Sequence, residues 1–377
     1  MGTRRQWLAA AGTALATASV SRILRAAPVG KPVLLGQSVP LTGAASEIGL
    51  AFAAGAKLYV DAYNARPDAA RRLELRQLDD GYDAARATAN AKKLIADGAD
   101  LLFGFVGTAS SRAGADVARQ EGIAMLAPFA AADALRDGSY PQVFHVRPSM
   151  ADEAFKMVQH CTTLGLTRIA VMAEDDEMGR AGTEAVNRAI TELKLQPLAG
   201  IAKVPSNSDK VDAAVATLAA LKPQAIIQVS LFNTTAAFIH KMRKAGYAGS
   251  FMNFSVVGID PLFTALGKDI GGVVVSQVVP PPRSKVRPIS REYLASIESS
   301  DQTPTYESLE GFIAAKVLGE AVQRAGAGFS RATAQRTLAG MNGFDVGGLR
   351  MQLQAGVRES GWAIELVSIS ADGRLIR

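Results

Sequence analysis

Residues 101–111 read Leu101-Leu-Phe-Gly104-Phe-Val-Gly107-Thr108-Ala-Ser110-Ser111, an apolar run that passes through two glycines into a cluster of hydroxyl side chains. The apolar part fits a strand over Leu101–Phe105, and the amphipathic stretch behind it fits a helix over Ser110–Gln120. A strand that hands over to a helix through a short polar loop is the repeating unit of parallel α/β sheets. Ligands of such sheets bind outside the carboxyl ends of the strands. The loop amides and the hydroxyls of Thr108, Ser110 and Ser111 would form an anion pocket at a helix N-terminus, suited to a carboxylate. An ordinary helix cap satisfies the same pattern, and spacing alone weighs the two equally.

The same rhythm extends in both directions. Upstream, Val33–Val39 and Leu73–Leu78 read as strands and 45–64 and 83–97 as helices; downstream, Ile123–Leu126 is a further strand. After Val143–Arg147 the alternation restarts. Ser149 and Asp152 form a capping box for a helix over 150–164, and a strand comes next over 168–172. Glu174-Asp175-Asp176 then precedes a helix to Leu193. Strands near 199–204, 225–230, 251–254 and 273–279 alternate with helices near 210–221 and 234–245. Pro280-Pro281-Pro282 can continue neither a helix nor a central strand and marks a linker. Helices near 290–299, 306–325 and 330–340 and strands near 348–353 and 363–370 complete the chain. Lone strands after a helical block imply a tail that returns to an earlier sheet. Two similar α/β lobes in series are the expected architecture.

The first 26 residues carry a different message. Thr3-Arg4-Arg5-Gln6-Trp7-Leu8 opens a basic start, succeeded by a diluted apolar stretch of about 14 residues and the small-residue end Ala26-Ala27, the layout of a cleaved export signal. The paired arginines resemble the twin-arginine signal, with Trp7 where phenylalanine is usual; the general secretion route is the alternative. Either route leads to the periplasm. The apolar stretch is too short to span a bilayer, and no later segment reaches the length of a membrane helix, so a soluble mature protein is expected. The formal charge of +6 shrinks accordingly: residues 1–26 hold Arg4, Arg5, Arg22 and Arg25 and no acid, which leaves +2 after cleavage. The remaining basic residues are scattered singly, which gives nucleic acid little support as a partner.

Chemistry finds little purchase. His145, His160 and His240 are the three histidines, and none has a metal-ligand spacing. His160 and Cys161 are adjacent on a helix, about 100° apart, and cannot face each other. One cysteine excludes an intrachain disulfide. No GxSxG elbow, Walker loop or GxGxxG occurs, so no cofactor and no enzymatic reaction are expected. The pairs Asp79-Asp80 and Asp175-Asp176 stand at strand ends before helices, where acids serve as caps.

With these loops in view, a family resemblance emerges. Gly36–Gly43, Asp79–Asp83, Phe103–Thr108, Ala127–Ala130, Phe144–Arg147 with Asp152-Glu153, Asp175–Gly179, Val278–Pro281 and Ser308–Gly311 together resemble the periplasmic leucine/isoleucine/valine-binding protein family. These are solute receptors of ATP-driven importers, and the motifs run in the family's order over nearly all of the mature chain. The resemblance implies the type I two-lobed fold, with three interlobe crossovers. It would divide the chain into an export signal (1–26), lobe one (28–148 with 281–358) and lobe two (149–280 with 359–377). It implies an inner-membrane ABC permease as partner and a monomeric receptor.

The resemblance also implies site residues. Thr108, with Gly107 and Ala109, falls where the ligand carboxylate is held. Phe129, Ala130 and Ala131 fall on the neighbouring loop, where Ala131 lacks the hydroxyl usual there. Ile48 and Met178 replace aromatic walls, and Leu231 and Phe232 fall at the aromatic step of lobe two. Ser255 stands where the amino-acid binders carry an acid for the ligand ammonium. A serine cannot neutralise a desolvated ammonium. The expected ligand is therefore a carboxylate without an α-amino group, or an amino acid whose ammonium meets an Asp or Glu elsewhere. Capture of a branched-chain amino acid or related organic acid for import is the expected role, with aromatic-acid or amide sensing on the same fold as the alternative.

Overall fold

The structure is a computed structural model that describes residues 30–298, 300–351, 353, 364–370, 372 and 374–376. The expected export signal lies outside these residues, as does most of 352–363. The chain opens with β1 (Val33–Val39), whose residues are all buried, α1 (Ser46–Asn64), β2 (Leu73–Asp79), α2 (Ala84–Ala96), β3 (Leu101–Phe103), α3 (Thr108–Gln120), β4 (Met125–Leu126) and β5 (Val143–Phe144). These strands form one parallel sheet in the order β2-β1-β3-β4-β5. Full burial along β1, Gln37 and Ser38 included, is what a parallel sheet covered on both faces demands.

A second sheet is built from α4 (Met150–Thr163), β6 (Ile169–Glu174), α5 (Glu177–Glu192), β7 (Gly200–Val204), α6 (Asp212–Leu221), β8 (Ala225–Val229), α7 (Phe232–Lys244), β9 (Ser250–Asn253), α8 (Ile259–Leu266) and β10 (Val273–Gln277). The chain then returns to the first unit through α9 (Pro288–Ile297), α10 (Tyr306–Ala325), α11 (Arg331–Ala339) and the ribbon β11 (Phe344–Asp345) and β12 (Arg350–Met351). It ends in the second sheet, where β13 (Glu365–Ile369) runs antiparallel to β10 and β14 (Leu375–Ile376) pairs with β13. The tail does rejoin an earlier sheet, as its lone strands implied. The fold is two α/β units, each a largely parallel sheet flanked by helices. No helix among the described residues is long and apolar enough to cross a membrane.

Several local readings are corrected. Helix α3 begins at Thr108 rather than Ser110, so Thr108 is its first residue. Helix α8 was not anticipated; it is eight residues long and bounded by Gly258 and Gly267. Asp79 caps no helix. Its carboxylate instead accepts from the Leu41, Thr42 and Gly81 amides and pairs with Arg86, which ties the loop after β1 to the end of β2. Asp83 caps α2, whereas Asp176 caps α5 through the Gly179 amide as expected. The Ser149–Asp152 capping box forms. Cys161 is buried, and burial pushes its thiol up to about 12, which suits a packing role.

The return to the first unit is fixed by backbone contact. A Cβ on Gly55 of α1 would lie 1.7 Å from the Ser308 carbonyl oxygen, and one on Gly311 of α10 would lie 2.0 Å from that of Phe52. The helices can approach this closely because each puts hydrogen where the other has backbone. Replacing Gly311 by Val is expected to cost about 3 kcal/mol or more, since neither helix can shift without disturbing the core. Urea unfolding checks this; an unchanged midpoint would mean that the two helices separate easily.

Candidate functional site

The two units close on each other over a small apolar cavity of about 20 Å³. Eight of the expected residues line it: Ile48, Gly107, Thr108, Phe129, Ala130, Ala131, Met178 and Leu231. They arrive from α1, the loop and first residue of α3, the loop after β4, α5 and the start of α7, so both units contribute. Tyr82, Val106, Met150, Val256 and Ala45 complete the wall. Ala109 is one residue further along α3. Phe232 lines a neighbouring chamber, and Ser255, next to Val256 in sequence, is not part of the lining.

Thr108 opens α3, whose first turn carries no acid and whose Gly107 cap makes no side-chain bond. The first-turn amides of a helix lack intrahelical partners and carry its positive end, so this terminus suits an anion. Gly107 has φ +93°, and a Cβ there would meet the Tyr82 ring at 2.3 Å, so only glycine allows Tyr82 to lie against the loop. Ser111 does not serve the pocket: its hydroxyl donates to the Phe105 carbonyl and locks the loop. Of the hydroxyl-bearing residues in this loop, Thr108 is the one that lines the cavity.

Beneath the pocket lies a charged cluster whose roles sequence reasoning missed. Arg147, fully buried on the first crossing between the units, stacks its guanidinium 4.4 Å from the centre of the Phe129 ring. It lies 3.6 Å from Glu153 of α4 and 3.4 Å from Glu310 of α10, and donates to the Ser255 hydroxyl. Glu153 also accepts from the Ser255 amide and the Ser276 hydroxyl. Arg136 holds the Arg147 and Pro148 carbonyls. Both acids belong to motifs of the family resemblance, but nothing in the spacing of residues 147, 153 and 310 announces a contact.

Two rim contacts also join the units: Arg112 of α3 to Glu177 of α5 at 2.6 Å, and Arg188 of α5 to Asp133 at 3.6 Å. Both are partly exposed, and such pairs contribute little individually. Among the described residues no group of His, Cys, Asp and Glu side chains is arranged to hold a metal ion.

A family profile for periplasmic binding proteins matches residues 32–364. This chain belongs to that family. The binding protein is 25% identical to Leu/Ile/Val-binding protein homolog 8 of Brucella abortus over an alignment 340 residues long, which covers 84% of this chain and 82% of the relative. Among solved structures, it is similar to a substrate-binding periplasmic protein of Ralstonia solanacearum at 27% identity and a TM-score of 0.84, covering 91% of this chain and 99% of the other. It is equally similar to a possible leucine/isoleucine/valine-binding protein of Rhodopirellula baltica, with 27% identity, a TM-score of 0.85, and coverage of 92% and 98%. The binding protein therefore has the type I fold of the leucine/isoleucine/valine-binding type.

The charged cluster should govern stability. Burial pushes the Glu310 carboxyl up to about 7, with Arg147 opposing and Glu153 and Glu307 reinforcing the shift. Its folded value lies above its ordinary 4.5. The folded chain therefore keeps a proton that the unfolded chain releases, and the associated stability is full below pH 4.5 and lost as pH rises to about 7. The wild-type melting temperature should fall across that window relative to Glu310→Gln; parallel curves would show that Glu310 titrates normally. Arg147→Leu, which leaves Glu153 buried without its counter-charge, should cost about 3–5 kcal/mol in denaturant unfolding.

Proposed function

We propose that this binding protein is the exported receptor of an ABC importer, closing two lobes around a small amino acid of branched-chain type or a related organic carboxylate and offering the closed form to an inner-membrane permease. In this reading 28–148 with 281–358 form one lobe and 149–280 with 359–377 the other, and residues 1–26 direct export to the periplasm by the twin-arginine or general route. The observation that carries it is the uncapped, acid-free start of α3 at Gly107-Thr108, which faces Met178 and Leu231 of the opposite unit across one pocket. The first-turn amides and the Thr108 hydroxyl hold the carboxylate in charge-assisted hydrogen bonds, and the apolar walls enclose the carbon chain attached to it. Ligand contacts to both lobes favour closure, because a ligand shifts an equilibrium only by its differential affinity for the two states. The rim pairs alone are too weak to do so. No covalent step is required.

Ser255 refines the ligand. Its hydroxyl is engaged by Arg147 and carries no charge for an α-ammonium. This favours acids that lack one, aromatic acids among them, or ligands whose cation is received elsewhere.

Thermal-shift screening against branched-chain amino acids, aromatic acids and amides should find a carboxylate that raises the melting temperature, since binding to the folded state alone stabilises it. Thr108→Val should then weaken that ligand by about tenfold or more, the loss of one charge-assisted hydrogen bond. An unchanged calorimetric affinity would remove Thr108 from the site.

A further inference from the structure

Asp80-Gly81-Tyr82-Asp83 joins β2 to α2 in a tight turn, closed by the Asp83 amide on the Asp80 carbonyl at 3.0 Å. Both central residues are left-handed, Gly81 at φ +57° and Tyr82 at φ +67°. Mirror-image turns of this kind are built from Gly, Asn or Asp, and a bulky residue at positive φ is an outlier. Tyr82 therefore holds a conformation that its own side chain disfavours. The turn is locked from within, where the buried Asp80 carboxylate accepts from the Tyr82 amide at 2.9 Å and from the Ser38 hydroxyl at 2.8 Å. Of the five non-glycine residues with left-handed φ among those described, Lys194 and Lys222 stand at helix ends. Tyr82 is the one that lines the cavity.

Strained residues persist where the structure around them over-determines their conformation, and they gather at binding sites. Here the turn lays the Tyr82 ring against Gly107, where a Cβ would collide with it. Phe129 lines the same cavity, and its carbonyl accepts from the Gly107 amide at 3.1 Å. The Phe129 ring is fixed in turn by the edge-on Phe52 ring at 5.3 Å and by the Arg147 guanidinium at 4.4 Å. Two aromatic residues thus adjoin the glycine that opens the carboxylate clamp. The rest of the wall has no aromatic or charged side chain, and Met150 and Met178 are its most deformable members. Burial, with Asp176 and Glu174 of the second unit, holds the Tyr82 phenol protonated well above its ordinary range, so the ring offers no negative charge to a bound acid. The cavity, at about 20 Å³, has room for about one water, so a ligand enters by spreading its walls. A flat ring spreads them less than a branched chain of similar carbon count, and it gains from packing on other rings.

We infer that Tyr82 is a specificity-determining residue of the binding site, held in a disfavoured turn so that its ring, with that of Phe129, selects a carboxylate with a flat aromatic body over one with a branched aliphatic body. This rests on the receptor reading proposed above and narrows the ligand class named there.

Calorimetry with benzoate and 4-methylpentanoate, two acids without an α-amino group, tests it. The wild type should bind benzoate about two- to tenfold tighter, the worth of one aromatic pair. Tyr82→Asn removes the ring but leaves a residue that tolerates left-handed φ, and Tyr82→Leu fills the space without a ring. Both should bring the ratio of the two affinities toward one, and Tyr82→Phe, which restores the ring, should restore the ratio. A purely structural role for Tyr82 would weaken both acids together and leave the ratio in place. That result overturns the inference, as does equal binding of the two acids by the wild type, a ratio lost in Tyr82→Phe, or the absence of heat with both acids. Thr108→Val separates the inference from the clamp. If it weakens both acids while the ratio follows the Tyr82 ring, the two stand together. If it weakens both acids while the ratio ignores Tyr82, the clamp stands and the inference is sunk. If it leaves both affinities unchanged while the ratio follows the Tyr82 ring, Thr108 is not the clamp and Tyr82 remains the selecting residue.

Discussion

A guanidinium with no access to water must be neutralised by the protein, and Arg147 is such a group at the point where the chain first passes between its two units. Taking a charge out of water costs several kcal/mol unless partners are held around it. Here the partners come from both sides of the crossing: Glu153 on α4, Ser255 after β9, Glu310 on α10 and the Phe129 ring after β4. The cluster can be complete only when the first crossing, the return helix α10 and the two cavity-lining loops are all in place. It therefore couples the fold of each unit to their junction, and it supports the pocket from beneath.

That coupling explains why backbone packing is so tight nearby. Glu310 precedes Gly311, whose missing side chain lets α10 press against α1. The same α1 carries Ile48 into the pocket and Glu47 into the chamber. A displacement of α10 would move the carboxylate facing Arg147 and, through α1, two walls of the cleft. The ion cluster and the glycine contact are thus two parts of one constraint on where α1 lies.

Much of this was legible in the sequence because it is local. Apolar runs such as Val33–Val39 gave the strands, Ser149 with Asp152 gave the start of α4, and eight of the eleven expected site residues meet in one pocket. What escaped was non-local or short. Asp79 reads as a helix cap in sequence, but its true partners, the Leu41 and Thr42 amides, lie 38 and 37 residues away. Arg147 and Glu310 are 163 positions apart, and arginine carries no pattern that marks it for burial. Helix α8, two turns between glycines, is too short for periodicity to declare itself, though Gly258 and Gly267 bracket it and Pro261 sits in its first turn. Its absence from the reading also hid Asp260.

The polarity of the cleft arises from a simple variation on one element. Every helix that begins at the cleft brings a positive end, and what the first turn carries decides the sign of the local field. Helices α1, α8 and α10 each add an acid to that turn, whereas α3, which starts with Gly107-Thr108, and α7, which starts with Leu231-Phe232, add none. The bare termini are left to attract an anion, and at the others the acid offsets the positive end. Ile48 lines both the pocket and the chamber. A difference of this kind needs no new loop or cofactor, because it is set by which helix starts retain an acid.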